Sequence, residues 1–203
     1  MDFNAFKELV IAQCAAQGIT EYELYYQSGS DTTIGVFAHE IKEFSSSEGG
    51  GVCFRCIVNG KMGYASTEAL NEVQAAAIVE RAADNASVLE AEEQVFLSEG
   101  GQEYEPMEDN SYPLPSTEEI ISTILATQEK IYAASEKVID GSQVQGIAES
   151  SEIAIYNSKG LDLHASNTVS GLIAVAVVSD GKEMANDYQV KLGQMSKIDA
   201  DEL

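Results

Sequence analysis

Two groups of residues in this sequence have a spacing that could support chemistry. Cys53-Phe54-Arg55-Cys56 has the C-x-x-C spacing of redox dithiols and zinc sites. His39-Glu40 matches the first half of the H-E-x-x-H motif with which a helix holds catalytic zinc. Their surroundings count against both. The C-x-x-C lies inside Val52–Val58, whose composition predicts a strand, and side chains three apart on a strand point to opposite faces. The two thiols can then neither share a metal nor close a disulfide, no second C-x-x-C exists, and packing is their favoured role. Position 43 is Glu43 where the zinc motif needs a histidine, and the segment around His39 reads as a turn. The other histidine, His164, sits between Leu163 and Ala165 in a predicted strand. With His39 and His164 in separate halves, a structural or surface role is favoured for each.

The remaining candidates are weaker still. Gly49-Gly50-Gly51 lacks the trailing Gly-Lys-Ser/Thr and the helix of a phosphate loop, so it predicts a bend or a close backbone approach. Ser45-Ser46-Ser47 has no G-x-S-x-G elbow and reads as loop. Among 34 carboxylates, no pair is singled out as an acid–base couple. No catalytic, cofactor-binding or metal-ligating residue is therefore assigned. Arg55, mid-strand between apolar neighbours, is expected to have a buried or interfacial carboxylate partner.

The elements that carry these residues follow from periodicity. Phe6, Leu9, Val10 and Cys14 predict a helix over residues 4–17, stopped by Gly18. Strands are predicted over 22–26, 32–37 and 41–44, with a break at Gly49-Gly50-Gly51. A hairpin follows, Val52–Val58 and Lys61–Ala65 turning at Asn59-Gly60, both of which tolerate positive φ. Thr67 is the expected N-cap of a helix reaching about Ser87, with Leu70, Val73 and Ala77 inward. Residues 90–115 are acidic and rich in Pro and Gly, with no Lys or Arg from Asn85 through Glu129, and read as a linker or long surface loop. Val95, Phe96, Leu97 and Tyr104 could dock locally. Ser116-Thr117-Glu118-Glu119 is a capping box opening a helix with Ile120, Ile124, Ile131 and Val138 on one stripe, ending at Asp140-Gly141. Strands are then expected over 144–150, 152–156, 161–166, 171–178 and 183–190, turning at Asn157–Gly160 and Ser179–Lys182.

The pattern is α+β, and the halves look alike: each has a helix, strands and a long hairpin at Asn59-Gly60-Lys61 or Asp180-Gly181-Lys182. A duplication of one helix-plus-antiparallel-sheet unit is the expectation. It divides the chain into a first unit at 1–89, an acidic linker at 90–115 and a second unit at 116–203. Ser196–Leu203 resembles the opening of a helix, so the natural protein is expected to continue into a further domain.

Composition limits the partners. The chain has 203 residues, 44% of them apolar, and a net charge of −23, enough core-forming residues to make global disorder a poor reading. Lys and Arg are scattered singly, so no basic patch offsets the repulsion of phosphate backbones or anionic membranes. No nucleic-acid or membrane partner is expected. The first residues lack a signal peptide's charged and apolar regions, Leu172–Val178 is too short to span a bilayer, and three cysteines suggest no disulfide framework. A cytoplasmic location is the default.

One stretch resembles a known family. Glu23-Leu24-Tyr25-Tyr26, followed by Gly51-Val52-Cys53-Phe54-Arg55-Cys56-Ile57-Val58-Asn59-Gly60-Lys61-Met62-Gly63-Tyr64-Ala65-Ser66-Thr67, is similar to the N-terminal signature of the TldD/PmbA family, which is also described as a modulator of DNA gyrase. The likeness continues in Ile155-Tyr156-Asn157-Ser158-Lys159-Gly160-Leu161, and Asp187-Tyr188 ahead of Ser196–Leu203 sits nearer the PmbA (TldE) branch than the TldD branch. The resemblance implies a subunit that pairs with a paralogous TldD-type subunit into a hollow metalloprotease, cytoplasmic and acting on unfolded peptides. The TldD-type partner would carry the zinc on an H-E-x-x-x-H helix and a later cysteine. Neither motif occurs here, so no catalytic residue carries over. The alternative is a non-enzymatic interaction module acting on a partner such as DNA gyrase or a toxin–antitoxin component.

Overall fold

A computed structural model describes residues 1–90, 95–104 and 111–198. Among the described residues are three α-helices and six strands, and the strands form one sheet in the order β3-β2-β1-β4-β5-β6. The class is α+β, as the pattern predicted.

Helix α1 (Phe3–Ala16) is opened by Asp2, whose carboxylate accepts the Ala5 N–H at 2.8 Å, and it buries Phe3, Phe6, Val10 and Cys14. Gly18 ends it with φ +70, a conformation open to a residue without Cβ. Strand β1 (Tyr22–Phe37) turns through Ala38 and His39 into β2 (Glu40–Val58), which turns through Asn59 and Gly60 into β3 (Lys61–Thr67). Both turns have two residues at positive φ, the twist that suits a tight hairpin. In the second hairpin Val58 pairs with Lys61 and Val52 with Thr67, antiparallel throughout, as expected.

The strands are longer than predicted. No break occurs at Gly49-Gly50-Gly51, and Ser45-Ser46-Ser47 is strand rather than loop. The glycines do provide close backbone approach: a Cβ on Gly50 would lie 2.7 Å from the Gln27 carbonyl oxygen. This stretch lies alongside β1, and pairing with that strand outweighs the poor strand propensity of Gly and Ser; β3 pairs only with Val52–Val58. Likewise β4 (Gln143–Asn157) runs unbroken through Ser150-Ser151, and β5 (Asp162–Ser179) joins two predicted strands. Ser30 and Ser150 hydroxyls meet at 2.7 Å, a cross-strand pair that apolar periodicity cannot register. Strand β6 (Met184–Leu192) pairs antiparallel with β5.

Two helix boundaries also differ. Thr67 is the last residue of β3, and the N-cap of α2 (Glu72–Val88) is Asn71, which accepts the Gln74 N–H at 3.0 Å. The later start rotates the buried face to Ala75, Ile78, Val79, Ala82 and Ala86 and leaves Val73 exposed. Helix α3 (Thr117–Ala134) has the predicted capping box, Ser116 Oγ accepting from Glu119 N and Glu119 Oε2 from Ser116 N. It ends at Ser135, because Val138 bridges to Val178 and the Ile139 N–H bonds the Val177 carbonyl. Of the acidic stretch, Leu97 docks while Phe96 and Tyr104 are exposed; residues 91–94 and 105–110 lie outside the described ones. At the end, Met195–Lys197 forms a single 3-10 turn, and residues 199–203 of the anticipated helix opening lie outside the described residues.

The chain forms two compact units. The first comprises Met1–Ser28, Gly49–Asp109 and Glu152–Ser166; the second, Gly29–Glu48, Asn110–Ser151 and Asn167–Leu203. In the first, α1 and α2 bury Phe6, Val10 and Ile78 among Leu24, Phe54 and Cys56 of the strands. In the second, Ile120 and Ile124 of α3 pack with Ile34, Val36, Val144 and Leu172.

Candidate functional site

The most developed polar cluster of the first unit forms around Glu23. Tyr22, Glu23 and Leu24 are all buried at the start of β1, so a carboxylate enters an otherwise apolar stretch. A buried charge needs a partner. Arg55 of β2 supplies it, with Nη2 2.5 Å from Glu23 Oε1; the Glu23 side chain is 5% exposed and that of Arg55 32%. This is the carboxylate partner that the position of Arg55 called for. The other oxygen, Oε2, accepts from Asn157 Nδ2 at 3.2 Å.

Asn157 ends β4 and organises the turn beyond it. Its Oδ1 accepts the Lys159 N–H at 2.9 Å and the Leu161 N–H at 3.1 Å, and its Nδ2 also donates to the Ser98 carbonyl at 2.9 Å. One side chain thus ties the Asn157–Leu161 turn, the loop at Ser98 and the Glu23 carboxylate together. Lys159 pairs with Glu21 at 2.7 Å, which raises the lysine's pKa. Its carboxylate is occupied by a guanidinium and an amide. Its chemistry is positional. The Asn157 signal was present in the sequence as a turn residue; its reach back to Glu23, 134 residues earlier, was not.

The other sequence candidates stay apart. Cys56 is buried in the first core, whereas Cys53 is half-buried, as strand alternation requires. Burial pushes the Cys56 thiol up to about 11. Cys14 is pushed to about 12, first by burial and then by Cys56. Neither is a thiolate near neutral pH, the form that attacks or binds metal. His39 belongs to the β1–β2 turn, as anticipated, with its ring 4.5 Å from that of Tyr132. His164 pairs with Glu152 at 2.9 Å on exposed strand residues. Among the described residues, no group of three or more His, Cys, Asp and Glu could hold a metal ion, so they offer no donor set that fits zinc. No helix among them is long and apolar enough to cross a membrane.

The second unit has a polar centre that sequence reasoning missed. Gln128 of α3 is fully buried; its Oε1 accepts the His39 N–H at 2.9 Å, and its Nε2 donates to the carbonyls of Val36 at 3.3 Å and Ser142 at 3.2 Å. The signal was available, since Gln128 falls four residues after Ile124 on the apolar stripe of α3.

Comparison with known proteins sets these units in context. Residues 22–86 match the model for PmbA/TldA metallopeptidase domain 1, and residues 111–203 that for the PmbA/TldA metallopeptidase central domain. No curated protein matches the chain. Among solved structures, a proposed modulator of a DNA gyrase from Thermotoga maritima superposes with a TM-score of 0.82 at 20% identity, over 99% of this chain and 46% of its own. TldE from Thermococcus kodakarensis gives 0.78 at 18% identity, over 98% and 45%. A proposed modulator of DNA gyrase from Bacteroides thetaiotaomicron gives 0.74 at 16%, over 96% and 46%. The chain therefore spans less than half the length of the solved structures it matches, and at these identities the likeness shows the fold. With both domain models matched in order along it, the chain belongs to the PmbA/TldD family.

Proposed function

We propose that this chain is the N-terminal region of a PmbA/TldE-like subunit that works in the cytoplasm beside a TldD-type paralogue, in a metalloprotease complex that processes or degrades unfolded peptides. The observation that carries the proposal is the ordered match to domain 1 and the central domain, together with a TldE structure that follows 98% of the chain. Under this proposal the zinc and its H-E-x-x-x-H helix belong to the TldD-type subunit, and this chain contributes walls and positioning. Co-expression of the whole protein with its paralogue should yield zinc-dependent cleavage of an unfolded peptide, lost on chelation and restored by zinc. A stable complex with no cleavage in the presence of zinc would overturn it.

A second reading is a protein-interaction module acting on a gyrase or a toxin–antitoxin component. Two of the matched structures bear the name of proposed gyrase modulators, which favours it. A chain of net charge −23 is poorly suited to DNA itself, so such an effect would run through protein contact. Binding to purified gyrase subunits without DNA would support this reading, and none at micromolar concentrations would remove it.

A further inference from the structure

Asn59 and Gly60 form the β2–β3 turn with φ 51 and 76, the two consecutive positive values of a type I′ turn. Both residues are exposed, and no other Asn-Gly occurs in the sequence. Among the described residues, nothing bonds the Asn59 carbonyl, the Gly60 N–H or the Asn59 side-chain amide. Nor does anything lie within 4 Å of a Cβ built on Gly60. The peptide between the two residues is therefore held only by its own torsions.

Turning that peptide over converts type I′ to type II′, the other two-residue turn that suits a hairpin, and leaves the Val58–Lys61 pair in place. Asn59 keeps its positive φ while its ψ moves to about −120°, and Gly60 passes to an ordinary negative φ. The Gly60 nitrogen then eclipses Asn59 Cβ about the Cα–C bond. In that position Gly60 N and Asn59 C, Cα, Cβ and Cγ are set to close a five-membered ring.

We propose that Asn59 is a site of spontaneous covalent modification, converting through a cyclic imide to aspartate and isoaspartate while the hairpin stays formed. The Gly60 nitrogen loses its proton to solvent and attacks Asn59 Cγ. The N–Cγ bond forms, the Cγ–Nδ2 bond breaks, and Nδ2 takes up protons and leaves as ammonia. Water then opens the imide. Cleavage at Cγ gives aspartate; cleavage at the main-chain carbonyl gives isoaspartate, whose backbone runs through Cβ and Cγ. The balance is one water consumed and one ammonia released, with no change of oxidation state. Glycine serves both the turn and the reaction, since it accepts φ 76 and places no side chain beside the attacking nitrogen. The proposal is independent of the function suggested above.

Asn157 is the contrasting case. The Ser158 N–H donates to the Tyr22 carbonyl at 2.9 Å, and the Asn157 side chain is bonded at both ends, so neither reacting atom is free. The consequence at Asn59 is structural. Isoaspartate lengthens a two-residue turn by one backbone atom and adds a negative charge to a chain already at −23. Lys61 pairs with Val58 and donates through Nζ to the Leu89 carbonyl just past α2, and Gly63 has to stay seated against α2. A shifted turn disturbs both contacts and weakens the first unit.

The test holds the full-length protein, folded, in warm and mildly alkaline buffer for several weeks. Peptide mapping, and methyl transfer from S-adenosylmethionine by an isoaspartyl methyltransferase, are the readouts. Conversion should accumulate at Asn59 before any other asparagine, with Asn157 unchanged, and the urea midpoint of the converted fraction should fall. Asn59→Gly keeps a sequence that suits the turn and should lose both the label at this position and the fall in midpoint. Freshly made Asn59→Asp carries the charge without the extra backbone atom and should match unaged wild type. Circular dichroism verifies that each variant folds, and the wild-type measurement stands without them. No conversion at Asn59 in the folded protein, conversion only after urea has unfolded it, or another asparagine converting as fast would overturn the proposal. A converted fraction with an unchanged midpoint would overturn its effect on the first unit.

Discussion

Glu23 and Arg55 form an ion pair of unequal burial: the carboxylate is 5% exposed, the guanidinium 32%, with 2.5 Å between them. Removing either partner therefore has a different cost. Arg55→Met leaves a carboxylate in the first core with only the Asn157 amide to hold it, whereas Glu23→Gln leaves a guanidinium that water reaches. Arg55→Met should lower stability by about 3 kcal/mol and Glu23→Gln by about 1 kcal/mol, read from urea midpoints. Equal losses from the two variants would contradict this account.

Gly63 of β3 lies directly beneath α2. A Cβ there would sit 1.8 Å from the Ala82 carbonyl oxygen and 2.6 Å from the Ala86 nitrogen, both helix backbone atoms that cannot swing aside. Gly63→Ala should cost about 3 kcal/mol or more, because helix and strand must separate. Gly49→Ala is the matched control, with nothing within 4 Å of its Cβ and no positive φ. It should leave stability unchanged or raise it by up to about 1 kcal/mol through the unfolded chain. Thermal unfolding of the two variants decides the matter.

These contrasts mark what was legible in the sequence. Asn59-Gly60 and Ser116–Glu119 are local signals, satisfied by residues within a few positions, and both formed as predicted. The placement of Arg55 in a strand also implied its carboxylate. What escaped was non-local. The length of β2 depends on the neighbouring β1, which holds Gly50 and Ser46 in extended backbone, and the hub role of Asn157 depends on Glu23, 134 residues away. Thr67 looked like a helix cap because a hydroxyl before an acidic, alanine-rich stretch suits either role, but pairing with Val52 claimed it for β3.

The buried thiols give a pH dependence with a definite sign. Cys14 rises from 9.0 to about 12 and Cys56 from 9.0 to about 11, chiefly by burial. Below about pH 9 both are neutral in folded and unfolded chains alike and cost nothing. Between 9 and their folded values only the unfolded chain ionises; it then binds fewer protons, and stability falls as pH rises, by at most about 1.4 kcal/mol per unit per thiol. Tyr22, raised to about 12 first by burial, adds to the slope above pH 10. Urea midpoints from pH 8 to 11 should fall for the native chain and flatten in Cys14→Ala/Cys56→Ala. In the folded protein, iodoacetamide should label Cys53 ahead of the other two.

Gln128 and the turn it holds allow a final, paired prediction. Ala38 and His39 sit at φ 47 and 63, left-handed conformations that cost a residue with a side chain about 1 kcal/mol or more each. Gln128 accepts the His39 N–H and donates to the carbonyls of Val36 and Ser142, so the buried amide of α3 compensates for the strain of the hairpin it faces. Gln128→Met preserves volume but removes all three bonds, and should destabilise by about 2–4 kcal/mol. Ala38→Gly relieves the strain and should stabilise by up to about 1 kcal/mol, the gain offset in part by a freer unfolded chain. If Gln128 holds the turn, amide exchange in Gln128→Met should quicken most at His39 and its strand neighbours, and Ala38→Gly should recover part of that protection. Uniform quickening across the second unit would instead mean that the three bonds stabilise the unit as a whole and do not hold this turn in particular.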